Sequence, residues 1–534
     1  MQLTESQLEA ANAILSSKPG STLSLRGYAG TGKTVVASEA AKAAIEAERK
    51  VLVIAPTAAA LAVLKGKLGM ISSEIAFRTV ASLAQTPTLI VKSKGQNGDE
   101  MASWAMDAHG LAELSSLLSA LISIDGLFSI RHKSVGEIPL DSAVNGVAFD
   151  TVLFDSAAAN KRLKAKFNSG RSPIGELSDE MDFITLRPDE VAERLAASGA
   201  WLVIGDEWSM VDAKMSSTIE AAVKIAAKLG ADIRMMVCGD GGQLQPVNGS
   251  INSLIERPAD GIATFELSEN LRSQDEVVAL ATAVRGGMGI PEIAASRMFS
   301  NVFKVRSGSA VDAWLEVGGT AGQADVTLCF MNRDVNAINM LKRRQLGYGP
   351  EAVVGEAVVS LKNNGYEAGK TPALVNGELL TIAKVHGGEP SVARIEAALA
   401  ERGEELTFAE KQFLRDVTTS MNAGALCLME FETPLGEHKE AVATPILESR
   451  GSMAAKKARA SLEALYPKLG IPFADLGFAY AMTVHKAQGS EWPRVLYIVS
   501  GKDLWVLRKS GDSWHMPYTA VTRAREHIDI AYVS

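Results

Sequence analysis

Seven short runs along the chain are almost wholly apolar and bounded by turn-forming residues: Thr22–Leu25, Val51–Ala55, Trp201–Ile204, Met235–Cys238, Val326–Phe330, Val495–Val499 and Ile528–Val533. Runs without polar alternation suit parallel strands covered on both faces, and the Ala-rich amphipathic stretches between them suit crossover helices. The pattern predicts an α/β, doubly wound architecture. Four runs precede residue 240, one lies near 328 and two follow 495. Two parallel-sheet cores, each interrupted by an insertion, account for this spacing better than one long sheet. The predicted division is 1–84 with 200–262 for the first core and 263–346 with 472–534 for the second. The insertions are 85–199 and 347–471. The first insertion reads as mostly helical, with a helix over Leu111–Ile124 and a basic stretch at Lys161–Phe167. The second mixes strand-like parts (Ala373–Val385, Ala425–Ile446) with helical ones (Glu396–Val417, Lys456–Tyr466).

At 534 residues the chain is too long for one compact domain. Lys plus Arg number 54 against 62 Asp plus Glu, a formal charge of −8. That excludes a polycation that coats nucleic acid, while leaving room for a local basic groove. Hydrophobic residues at 47% exclude a disordered chain. Three widely separated cysteines offer neither a disulfide framework nor a zinc site, which suits a reducing compartment. The sequence carries no recognisable export leader or membrane span, so the expected location is cytoplasmic.

The chemistry begins at Gly27-Tyr28-Ala29-Gly30-Thr31-Gly32-Lys33-Thr34, which fits G-x-x-x-x-G-K-[ST] between a strand and a helix. Its glycines let backbone N–H groups curl round phosphates, Lys33 meets the β and γ oxygens, and the Thr34 hydroxyl ligates Mg²⁺. Asp206-Glu207 ends an apolar strand, at the sheet edge where open α/β folds bind ligands. Asp206 is the expected Mg²⁺ partner and Glu207 the base that polarises the attacking water. Gln243, in the loop after Cys238, is a candidate γ-phosphate sensor. From the second half, Arg272 and Arg523 are candidates for a charge clamp on the transferring phosphoryl group.

Taken in order, these motifs resemble superfamily 1 DNA helicases, specifically the RecD-like and Dda-like group. Further likeness lies in Leu3-Thr4-Glu5-Ser6-Gln7, Ala55-Pro56-Thr57-Ala58-Ala59-Ala60, Thr483-Val484-His485-Lys486-Ala487-Gln488-Gly489-Ser490-Glu491-Trp492 and Thr519-Ala520-Val521-Thr522-Arg523-Ala524. The resemblance implies two RecA-like domains, ATP and Mg²⁺ as cofactors, and 5′-to-3′ movement on single-stranded DNA with opening of forked duplex. It implies that Gln7 reads the adenine, that Gly489 and Glu491 lie near the nucleotide, and that Arg272 and Arg523 are arginine fingers. Pro56, Thr57, Thr79, Thr483 and His485 would lie on the single-strand track. Asn376-Gly377-Glu378 resembles the start of a small SH3-like barrel, and the resemblance suggests single-strand-binding or replication and repair proteins as partners, with roles in DNA replication, repair and recombination.

Several readings stay open beside these. Thr4 and Gln7 also form a capping box for a helix opening at Glu5. Lys161, Arg162, Lys164, Lys166 and Arg171 with Phe167, and Lys456, Lys457 and Arg459, are either strand-gripping cations or solvated helix faces. Trp208 stands where the family has a small residue, and Gln245 where a second proline is common. A translocase that remodels forks or strips proteins without unwinding, and a slow ATP-switched scaffold, are the alternatives to a helicase.

Overall fold

The computed structural model describes residues 3–534 apart from 70, 90–92, 95–99, 102–127, 133–135, 139–150, 155–181, 247–252, 257–261, 269–274, 307, 322–323, 366–371, 404–405, 407 and 511–513. The first core is a sheet of β1 (Thr22–Gly27), β2 (Val51–Ala55), β3 (Ala76–Thr79), β4 (Leu202–Gly205), β5 (Arg234–Gly239) and β6 (Ala263–Leu267). All its pairings are parallel, in the order β6-β1-β5-β4-β2-β3. Strands β2, β4 and β5 are buried along their whole length, which is why their sequences are unbroken apolar runs. On one face α1 (Glu5–Leu15), α2 (Lys33–Glu46) and α3 (Ala58–Leu68) share a cluster to which α2 brings Ala37, Ala40, Ala41 and Ala44, small side chains that let it lie close to the sheet. A short α4 (Val80–Ala84) with α5 (Pro188–Ser198) and α6 (Ala213–Lys228) covers the other face.

Two boundaries shift relative to the sequence expectation. Strand β6 pairs with β1, so the first core runs on past 262 to Leu267. Helix α5 places Val191, Ala192 and Leu195 in the first core's cluster, so that core resumes near 188 rather than 200.

The second core repeats the plan with β7 (Val302–Val305), β8 (Val326–Cys329), β9 (Ala481–Thr483), β10 (Trp492–Ser500) and β11 (Ala524–Val533). They are parallel throughout, in the order β7-β11-β10-β8-β9. Helices α7 (Asp275–Arg285), α8 (Asn332–Gln345), α9 (Val484–Ala487), α10 (Gly501–Ser510) and α11 (His515–Val521) surround it. The architecture is therefore two RecA-like parallel-sheet domains.

In the first insertion the described residues form antiparallel strands, with Asp182–Thr185, Gln85–Leu89, Thr151–Phe154, Phe128–His132 and Gly136–Ile138 in one sheet. The helix expected over 111–124 and the basic stretch at 161–167, with Arg171, lie outside the described residues. The second insertion is an antiparallel sheet in the order His438–Ala443, Cys427–Glu432, Leu379–His386, Ala357–Ser360 and Leu476–Phe478. Three helices, Gly388–Arg402, Phe408–Asn422 and Met453–Leu469, pack on it. Arg459 there bonds Asp475 through its Nε at 2.7 Å and through a second nitrogen, so it serves an internal ion pair. Lys456 is exposed. Among the described residues no helix is long and apolar enough to cross a membrane.

Candidate active site

A cleft of about 400 Å³ opens between the two cores. Gln7, Gly30, Gly32, Lys33, Thr34, Asp206, Glu207 and Gln243 line it from the first core, and Gly489, Glu491 and Arg523 from the second. Strand β1 delivers the chain into the glycine loop, where Gly30 and Gly32 take φ of 83° and 86°, and α2 starts at Lys33. Only glycine adopts such angles without strain, and they aim successive N–H groups at one point. The Lys33 ammonium donates to the Gly27 and Tyr28 carbonyls, both at 2.8 Å, and so is held across the mouth of the loop. Thr31 is buried, and its hydroxyl donates to the Tyr28 carbonyl at 2.8 Å.

The acidic pair follows β4. Asp206 accepts the Glu207 N–H at 2.9 Å and the Thr34 hydroxyl at 3.4 Å. Burial raises its carboxyl above the ordinary carboxylate range, against the pull of the Glu207 N–H and of Lys33 and Lys67. Burial and then the Asp206 charge raise Glu207 as well, while Arg523 and Lys33 draw it back. Glu207 also takes φ of 50°, the left-handed region that non-glycine residues rarely occupy. A carboxyl kept reluctant to ionise and held in a strained backbone is the profile of a poised proton acceptor. Trp208, the departure from the family pattern, is fully buried behind it, and its indole N–H donates to the Ser216 hydroxyl at 3.0 Å.

Gln7 forms the predicted capping box and also bonds the glycine loop. Its amide oxygen accepts the Thr4 N–H at 3.0 Å, completing the capping box, and its amide nitrogen donates to the Thr31 carbonyl at 3.1 Å. Gln243 is 4% exposed and its Oε1 is buried with no hydrogen-bond partner, an acceptor aimed at a donor the chain does not supply. Arg523, 4% exposed, is anchored by the Thr519 and Ser490 carbonyls at 3.1 and 3.2 Å, and burial lowers its affinity for its proton. Arg272 lies outside the described residues.

The donor set fits a nucleoside triphosphate with a hard divalent ion. Thr34 and Asp206 present two oxygens 3.4 Å apart, and two protein ligands are what Mg²⁺ takes when phosphates and waters fill the rest. The cations Lys33 and Arg523 face the same space as these carboxylates.

The five residues assigned to a strand track sit apart from the cleft. Thr57, Thr79 and Thr483 are the N-caps of α3, α4 and α9, accepting the N–H groups of Ala60, Ser82 and Lys486 at 3.2, 3.1 and 3.3 Å. Pro56 precedes Thr57, and His485 lies in α9. Thr79 and Thr483 occupy equivalent places, each the last residue of its sheet's edge strand, paired with Ala55 and Cys329. Sequence reading missed the cleft wall on α3, where Ala60, Val63, Leu64 and Lys67 recur at helical spacing, and missed Ser490 and Thr522. The α3 spacing was visible, but nothing in it distinguished a ligand-facing stripe from a core-facing one.

A family model described as an AAA domain matches residues 2–124, and one described as a UvrD-like helicase C-terminal domain matches 478–528. Among solved structures, the Pif1 helicase from Candida albicans aligns at 15% identity, covering 99% of this chain and 95% of that one, with a TM-score of 0.45. Bacteroides Pif1 bound to ssDNA aligns at 15% identity over 99% of this chain and 92% of that one, with a TM-score of 0.46. No curated protein matches the chain. The two family models fall on the motifs that bring the glycine loop and Arg523 to one cleft.

Proposed function

We propose that the protein is an ATP-dependent helicase that moves 5′ to 3′ on single-stranded DNA and opens forked duplex. The observation that carries this reading is the split cleft: Lys33, Thr34, Asp206, Glu207 and Gln243 belong to one core, Gly489, Glu491 and Arg523 to the other. Hydrolysis that needs both halves ties turnover to their approach. Lys33 binds the phosphates, Glu207 takes a proton from the attacking water, Gln243 offers its unpaired oxygen, and Arg523 meets the charge that builds on the transferring group. Bound Mg²⁺, held by Thr34 and Asp206, would neutralise phosphate charge.

The matched positions of Thr79 and Thr483 support a strand lying across both edge strands, with Pro56, Thr57 and His485 beside it. Grip of this kind is directed at the backbone, so sequence preference is weak and salt dependence strong. The antiparallel sheet of the second insertion, in which Gly377 turns the chain into the strand Leu379–His386, is the element we read as the SH3-like barrel. The test is a pair of unwinding reactions on duplexes tailed 5′ or 3′, with and without ATP, beside the Lys33→Ala variant. Unwinding confined to the 5′ tail, to ATP and to the wild-type chain is expected. Unwinding confined to the 3′ tail sinks the polarity, and ATPase activity indifferent to any nucleic acid sinks the helicase.

A further inference from the structure

Beside the cleft, a second set of contacts joins the cores, and no motif drew attention to all of its members. Asp240, at the end of β5, is 1% exposed and accepts four hydrogen bonds. One oxygen takes the Ala29 N–H of the glycine loop at 3.0 Å and the Tyr518 hydroxyl at 2.8 Å; the other takes the Gly242 N–H and the Arg285 guanidinium, both at 2.9 Å. Arg285 ends α7 and Tyr518 lies in α11, both in the second core. The Arg285 guanidinium also lies 4.1 Å over the ring of Tyr28, a glycine-loop side chain. One buried carboxylate thus bonds a loop that holds phosphates and two side chains of the opposite domain.

The loop that follows is built round the same junction. The Leu244 N–H donates to the Thr519 hydroxyl at 2.8 Å, its carbonyl accepts from Gln488 at 3.3 Å, and its side chain is buried in the second core's apolar cluster. A Cβ on Gly242 would stand 2.5 Å from an Arg285 nitrogen and 3.0 Å from the Tyr518 ring, so this position admits only glycine while the guanidinium is seated.

We infer that Arg285, with Tyr518, is a positioning residue for hydrolysis: through Asp240 and the Ala29 N–H it sets the seating of the second core, and hence of Arg523, on the glycine loop. The inference rests on the helicase reading for the reaction it serves. Asp240 is the shared anchor, because each of its two oxygens bonds both domains, so phosphates that shift the loop act on both sets of bonds.

The experiment uses the full chain carrying fluorophores at Lys42→Cys and Lys502→Cys, two exposed sites on different cores; the native cysteines are buried. Energy transfer is read with ADP–aluminium fluoride, nucleotide affinity with fluorescent ADP, and turnover with and without a single-stranded oligonucleotide. Wild type changes its transfer efficiency on nucleotide binding. Arg285→Ala loses that change and about tenfold of its oligonucleotide-stimulated kcat, while ADP affinity stays within about twofold. Arg285→Lys recovers part of the loss. Tyr518→Phe, which removes one hydroxyl, and Gly242→Ala, which unseats the guanidinium, move the same readouts in the same direction. Arg285→Ala that closes and turns over like wild type overturns the inference, as does a loss of ADP affinity equal to the loss of kcat. Wild-type ATPase indifferent to oligonucleotide overturns the helicase reading instead, and the transfer signal still tests the junction because it needs nucleotide alone.

Discussion

The two cores share one plan, a parallel sheet flanked by helices, yet at the cleft they bring opposite chemistry. The first ends β1 in a glycine loop and β4 in two buried carboxyls whose ionisation burial opposes. Among its described residues the second brings no such loop to the cleft; it offers Gly489 and Glu491 just before β10 and a buried guanidinium just before β11. In the mechanism we propose, one half grips phosphates and holds the proton acceptor, and the other brings a cation that matters only as charge develops. Neither is a complete catalyst, and that division is what allows hydrolysis to report on the distance between domains.

The sharpest test of this division pairs Lys33→Ala with Arg523→Ala. Each should lower the maximal ATPase rate on the order of 10³-fold. Lys33→Ala should weaken fluorescent ADP binding as well, because the first core holds phosphates at every stage. Arg523→Ala should leave ADP affinity close to wild type, since its contribution belongs to the transition state. Equal losses of ADP affinity in both variants would erase the distinction between a gripping half and a sensing half.

A smaller effect compares the edge strands. Thr79→Val and Thr483→Val each remove a helix cap, which costs about 1 kcal/mol of local stability. If a strand crosses both edges, each variant also weakens single-stranded DNA binding, by about fivefold at about 1 kcal/mol. Fluorescence anisotropy on a labelled oligonucleotide reads this, with circular dichroism as the check on folding. Loss of binding in one variant alone would confine the track to one core.

Legibility in the sequence followed burial on both faces. All seven apolar runs became strands, because central strands such as β4 and β5 have no solvent side to encode. The strands that escaped notice are short or lie at an edge. In β6, Ala263, Thr264 and Glu266 are exposed, and β9 spans three residues. The same lack of signal moved the domain boundaries, since β6 and α5 lie just outside the expected limits. Lys33, Asp206 and Glu207 were readable because their chemistry demands fixed neighbours in sequence. Arg285, Tyr518 and Lys67 were not, because what matters for them is what faces them across the cleft, and no local pattern records that.

The smallest expected effect concerns the cost of the first core's carboxyls. Burial raises Asp206 above its unfolded value, so folding favours its protonated form. The stability that this lends is present below the unfolded pKa, near 4, and is lost as pH rises through the folded value. At pH 8, without Mg²⁺ or nucleotide, wild type therefore carries a buried charge that Asp206→Asn does not, and the asparagine oxygen can still accept the Glu207 N–H. The variant should melt a few degrees above wild type at pH 8, with the gap closing toward pH 4, while its ATPase activity is lost. The corresponding charge in the second core is a cation that donates to the Thr519 and Ser490 carbonyls, so neutralising Arg523 removes those anchoring bonds along with the charge and should give no such gain. Melting curves for Asp206→Asn that follow wild type at both pH values would mean that the carboxylate is compensated within the apo cleft, leaving the metal nothing to relieve.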